Sequence, residues 1–201
     1  MTKGRLEAFS DGVIAILITI LVLELKIPHG DDWAALRPLL PVFLSYVLSF
    51  LFIGIYWNNH HHMLHMADRI DGKILWANQH LLFWLSLIPF STAFLGESHF
   101  APFPTAVYGT VLFFAGIAYV MLQGAIIKNQ GPGSRLAAAV GGDVKGKLSA
   151  LLLGSSIPLA FVNRWISSAL FVAIVLLWLV PDRRIEQHLS ADDPGRGAGE
   201  P

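Results

Sequence analysis

The amino-acid sequence predicts an all-α membrane protein with six transmembrane helices per chain. Three observations carry that expectation. Charged residues make up only 14% of the 201 residues, against about 25% in an ordinary soluble domain. Six segments approach the roughly 20 apolar residues that cross a bilayer core about 30 Å thick. Lys and Arg are concentrated in alternate connecting segments, as expected of a chain that crosses a membrane repeatedly. Lys plus Arg and Asp plus Glu both total 14, so no charge excess points to nucleic acid, which is excluded as a partner. The chain has no cysteine, which removes disulfides, thiolate metal sites and thiol catalysis. Lys3 and Arg5 could pass for a basic leader, but the apolar stretch after them is too long and has no small-residue cleavage site.

The first span is predicted over about Leu6–Leu25, closed by Pro28, His29 and Gly30. The second runs over about Trp33–Trp57, with Pro38 and Pro41 near its start, where proline is tolerated. The third covers about Ile74–Leu95 with a kink at Pro89. The fourth covers about Pro104–Ile127. The fifth, about Lys147–Val162, reads as short and broken by Gly154 and Pro158. The sixth covers about Trp165–Val180 and is closed by Pro181, with Asn163-Arg164 as a hairpin turn before it. Residues 129–146 read as a Gly-rich loop, and residues 190–201 as a disordered cytoplasmic tail to a six-helix transmembrane domain over 1–189. Trp33, Trp57 and Trp165 stand at predicted span ends, as interfacial anchors do.

An even number of spans places both termini on one side. With the amino terminus in the cytoplasm, the inner segments hold Lys3, Arg5, Arg69, Lys73, Lys128, Arg135, Lys145, Lys147, Arg183, Arg184 and Arg196. The outer ones hold only Lys26, Arg37 and Arg164. The positive-inside rule therefore predicts a multi-pass plasma-membrane protein with both termini cytoplasmic.

The first span is the most informative. At 100° per residue Ile16, Ile20 and Leu23 fall within about 60° of one another, and Thr19 borders the stripe. Repeated around a symmetry axis, such positions form aliphatic rings that gate by dewetting, next to a ring of hydroxyls. The same periodicity also suits a face turned to lipid or to a neighbouring helix, and Thr19 alone also suits a hydroxyl bonded to its own helix. Asp11 is costly several residues into a membrane helix and requires a partner. Arg5, about 120° away around the helix, is badly placed to be that partner, so Ser10 and Asp11 look to other helices. Asn78 in the third span is likewise expected to bond across helices.

Asn59, His60, His61, His62 and His65 follow the second span as predicted. His61 and His65 have helical metal-ligand spacing, but no H-E-x-x-H arrangement accompanies them, so no enzyme is expected. Ala106-Val107-Tyr108-Gly109 is a poor match to a potassium filter, because it lacks the first glycine and lies inside a span. Glu24 and Lys26 close the first span and either tune the local ion concentration or snorkel to water. An ion- or proton-coupled secondary transporter is the alternative, although such proteins show internal repeats and broken midplane helices.

Arg5, Phe9, Ser10 and Asp11 spell R-x-x-x-F-S-D, and FSDGVIAILITILVLELKIP continues from it. This stretch resembles the first helix of prokaryotic members of the TMEM175 family of potassium channels. The resemblance implies a channel architecture without a TVGYG filter, a homotetramer in membrane lipid, and a pore-lining first helix passing monovalent cations, K+ foremost, with no cofactor. It implies a constriction at Ile16, further aliphatic rings at Ile20 and Leu23, and a hydroxyl layer at Thr19 that aids selectivity. It also implies that Arg5, Phe9, Ser10 and Asp11 anchor the helix, with Trp57 and His60 or His61 as candidate partners beside Asn78.

Overall fold

The computed structural model describes residues 2–179. Seven helices occur among the described residues: α1 (Lys3–Leu23), α2 (Trp33–His65), α3 (Gly72–Glu97), α4 (Pro102–Gln130), α5 (Arg135–Val140), α6 (Val144–Val162) and α7 (Arg164–Leu179). The first four are long and apolar enough to cross a membrane, and α7 is a shorter apolar helix. The tail over 190–201 and the predicted stop at Pro181 lie outside the described residues.

Local chemistry sets the boundaries. Asp32, Asp71, Ser134 and Asp143 each cap a helix start by accepting from a backbone N–H three residues on. Asp71 also accepts from Asn129 Nδ2 at 3.0 Å, which ties the start of α3 to the end of α4. Its backbone hydrogen bond from Ile74 is the leading reason its carboxyl is held below the usual carboxylate range. The stabilising contribution is thus complete at neutral pH and is lost as pH falls through the lowered folded-state value. A short 3₁₀ turn at Arg37–Leu39 sits inside α2, and α3 is interrupted at Leu87, between Gly72–Ser86 and Ile88–Glu97. Pro89 lies at the first turn of that second half, where its missing N–H leaves no bond unmade.

Three expectations change here. α2 runs on through His65, so Trp57 and His60–His62 lie within a helix rather than after it, with His65 as its last residue. α6 is one continuous helix with Pro158 inside it; membrane helices tolerate proline when neighbours re-satisfy the backbone. The predicted loop over 129–146 contains α5, whose Arg135 reaches Asp68 at 3.5 Å across the α2–α3 turn.

α4 is the hub. It packs on α3 on one side and on α6 on the other, and α7 closes against α6 and α2. α1 lies at the edge, packed on α2 and α3. Without a hydrophobic difference between lipid and core, such helices associate through close packing and polar bonds. Two glycines mark the close approaches. A Cβ at Gly109 of α4 would stand 2.8 Å from Ser156 Oγ of α6 and 3.2 Å from the Phe171 ring of α7. A Cβ at Gly96 of α3 would stand 2.8 Å from the Val42 backbone of α2. Tyr108 and Phe171 meet edge to face at 5.2 Å between ring centroids, both fully buried.

Gly109→Ala is expected to destabilise the bundle by about 1–3 kcal/mol through overpacking. Gly124→Ala, in the same helix with open space around it, should be neutral or gain up to about 1 kcal/mol. Thermal unfolding of the two variants in detergent, followed by size-exclusion elution, checks the contrast.

Candidate functional site

The cluster at the start of α1 forms because small polar groups on three helices are buried together and have only one another to bond. Ser10 and Asn78 are fully buried and His60 is nearly so. Asn78 Nδ2 donates to Ser10 Oγ at 3.0 Å, and Ser10 Oγ donates to the Leu6 carbonyl of its own helix at 2.9 Å. Asn78 Oδ1 is then the acceptor for His60 Nε2 at 2.8 Å, which assigns the proton to that nitrogen. The result is one directed chain, His60 to Asn78 to Ser10 to Leu6, joining α2, α3 and α1. Beside it Trp57 Nε1 donates to Asp11 Oδ1 at 3.0 Å, a second link from α2 to α1. Asp11 is only partly buried, so its carboxylate holds this one indole bond and still meets its surroundings.

Of the residues nominated by sequence, the structure brings together Ser10, Asp11, Trp57, His60 and Asn78. His61 does not join. It is exposed and stacks between Trp57 and His65, at 6.0 and 6.4 Å between ring centroids. Among the described residues no group of three or more His, Asp or Glu side chains is placed to hold a metal. Arg5 and Phe9 both point away from the cluster and are exposed. Lys3, not Arg5, reaches back to α2, donating to the His65 carbonyl at 2.8 Å.

α1 therefore has two unlike faces. Leu6, Ser10, Ile14, Leu17 and Leu21 recur every three or four residues and are buried. Ile16, Thr19, Ile20 and Leu23 lie on the other side, with Ile16 58% and Leu23 80% exposed. Thr19 Oγ1 donates to the Ile16 carbonyl at 2.7 Å. Its proton is thereby used inside the helix, while the oxygen lone pairs stay on the uncovered face. At the far end of α1, Lys26 pairs with Glu97 at the end of α3. That hydrogen bond from the ammonium, more than the accompanying charge attraction, holds Lys26 above its usual range.

A second polar chain was missed from sequence. Thr92 Oγ1 donates to the Ile88 carbonyl at 2.7 Å and lies 2.6 Å from Ser49 Oγ, which lies 2.9 Å from Tyr108 OH. With the Thr92 proton committed, the direction is Tyr108 to Ser49 to Thr92, locking α4, α2 and α3 together. Ser49, Thr92 and Tyr108 were legible only as polar residues inside apolar spans, the signal that singled out Asn78.

Fold and cluster define a multi-pass helical membrane protein whose first helix is bonded along one face and uncovered along the other. The family model described as the endosomal/lysosomal potassium channel TMEM175 matches residues 5–89. Over 189 residues the chain is 50% identical to a potassium channel of Chryseobacterium sp., covering 94% of this chain and 98% of that one. It is 38% identical over 89 residues to the human endosomal/lysosomal proton channel TMEM175, covering 37% of this chain and 18% of the human one. The crystal structure of a lysosomal potassium-selective channel TMEM175 homolog from Chamaesiphon minutus superposes with a TM-score of 0.78 at 28% identity, covering 90% of this chain and 97% of that one. The chain belongs to the TMEM175 family.

Asn78→Ala and Ser10→Ala are each expected to cost roughly 0.6–2 kcal/mol, the range of interhelical hydrogen bonds in membranes. The double variant should cost clearly less than the sum, because both remove the same bond. A double-mutant cycle on unfolding in mixed micelles measures that coupling, and strict additivity would show that the bond contributes nothing.

Proposed function

We propose that the chain is one subunit of a potassium-selective channel that conducts passively. Four copies surround a central pore, each contributing α1, with six transmembrane helices per copy in a domain over 1–189 and both termini in the cytoplasm of a cell bounded by the plasma membrane. Ile16, Ile20 and Leu23 form stacked aliphatic rings that constrict the path and gate it by dewetting. The Thr19 ring supplies hydroxyl oxygens to a partly dehydrated K+ and aids selectivity. Ser10 and Asp11, with Trp57, His60 and Asn78, anchor α1 so that its uncovered face keeps its aim. No cofactor takes part.

The observation that carries this is the division of α1. Its polar cluster holds one face to α2 and α3, while the opposite face, with the aliphatic stripe and the Thr19 oxygen, is left without a partner in the chain. The names of the bacterial relative and of the Chamaesiphon structure, each a potassium channel in its own right, support the choice of ion. Tyr108, in the segment that faintly matches a potassium filter, is buried within continuous α4 with its hydroxyl next to Ser49. That leaves the uncovered α1 face as the favoured ion path.

Potassium flux into liposomes tests the proposal. Ile16→Asn should hydrate the constriction and raise flux several-fold over the unsubstituted chain, whereas Ile14→Asn, on the buried face, should not raise it. Unchanged flux in Ile16→Asn would remove Ile16 from the path.

A further inference from the structure

A cavity of about 820 Å³ lies between α2, α4, α6 and α7 and against α5, with no residue of α1 in its lining. That volume falls within the range of about 300–1,000 Å³ typical of ligand sites. Its two ends differ in chemistry. The deep end is lined by Phe52, Phe113, Leu153 and Ile174, which belong to the apolar bodies of their helices. The rim is lined by Asn59, His62, Asp143, Lys145 and Lys147.

The rim is built by specific bonds. Trp178 Nε1 donates to Ser149 Oγ at 2.9 Å, which fixes the indole as one wall. The Lys145 ammonium lies 6.0 Å over that same ring. Asp143 adopts the left-handed conformation, φ 34°, and its carboxylate accepts from Gly146 N–H at 3.0 Å as the cap of α6. The rim thus carries two lysines against one carboxylate, which already accepts from the Gly146 N–H.

We propose that this cavity binds a single anionic phospholipid, its acyl chain in the apolar depth and its phosphodiester at Lys145 and Lys147. The lipid enters from the leaflet on the side where α1 begins, since the ends of α2 and α4 and the start of α6 all lie there. Two features select this occupant over a water-soluble ligand. The cavity runs from a charged rim into the part of α2 and α4 that crosses the hydrocarbon, so a ligand with one polar and one apolar end matches it along its length. Basic pockets between membrane helices recognise phosphate headgroups through the same arrangement. The site is independent of the ion path, because no residue of α1 lines it.

Native mass spectrometry of the full chain in detergent, titrated with phosphatidylglycerol or with phosphatidylcholine of the same acyl chains, tests the proposal. The expected result is one phosphatidylglycerol per chain, retained at collision energies that strip phosphatidylcholine. The Lys145→Gln, Lys147→Gln double variant should lower phosphatidylglycerol retention several-fold, to the phosphatidylcholine level, and the corresponding double Arg variant should restore it. Gly116 lines the cavity, and a Cβ there would meet only the Tyr56 hydroxyl, at 3.7 Å, so Gly116→Phe should fill the space and displace both lipids. If Gly116→Phe fails to fold, the lysine variants decide the matter alone. Equal retention of the two lipids by the unsubstituted chain, or undiminished phosphatidylglycerol retention in the Gln variant, would overturn the proposal.

Discussion

A polar side chain buried among membrane helices must find a partner, because no water is there to replace one. In this chain that constraint acts on Asn78. It is fully buried in α3 and bonds both α1 and α2, through Ser10 at 3.0 Å and His60 at 2.8 Å. An asparagine amide has both donors and an acceptor, and here it accepts from one helix and donates to another. The helix orientations follow: α1 can be turned only so that Ser10 faces inward, which at 100° per residue carries Ile14, Leu17 and Leu21 inward with it and sends Ile16, Thr19 and Leu23 outward.

The second polar chain performs the same service one layer away. Tyr108, Ser49 and Thr92 tie α4 to α2 and α3, next to the close approaches at Gly96 and Gly109. Both chains end on a backbone carbonyl of a helix, Leu6 and Ile88, so neither leaves a buried hydroxyl proton unplaced. The bundle is thus held by directional bonds near its α1 and by small-residue packing near its centre, while the outward stripe of α1 carries neither. A face with that composition is free to serve a different purpose from holding the chain together, which is why the proposed ion path is aliphatic and the conspicuous polar residues lie off it.

The long apolar runs were legible because about 20 residues without charge have few alternatives to a membrane helix. Asp11, Asn78 and Ser10 were legible as groups requiring partners, and the family resemblance supplied Trp57 and the histidines as places to look. What sequence could not separate was His60 from His61. They are neighbours on one helix, and 100° of rotation sends one into the core and the other to an exposed stack with Trp57 and His65. The helical continuation of α2 was hidden for a related reason: a run of Asn and His resembles a loop by composition, yet Asn59 bonds back to Ile55 and the helix persists. α5 was hidden because six residues carry too little periodicity to stand out from a Gly-rich connection. Pro158 was misleading, since proline breaks an isolated helix but is accommodated in a packed membrane bundle.

The central claim is that the uncovered face of α1 meets water and ions while its buried face does not. The chain has no cysteine, so single cysteines can be introduced without any background. Thr19→Cys and Leu21→Cys, reconstituted in liposomes, would be treated with a charged, membrane-impermeant thiol reagent during potassium flux. The account predicts that the reagent blocks flux through Thr19→Cys and leaves Leu21→Cys unchanged. Block at Leu21→Cys with none at Thr19→Cys would contradict it.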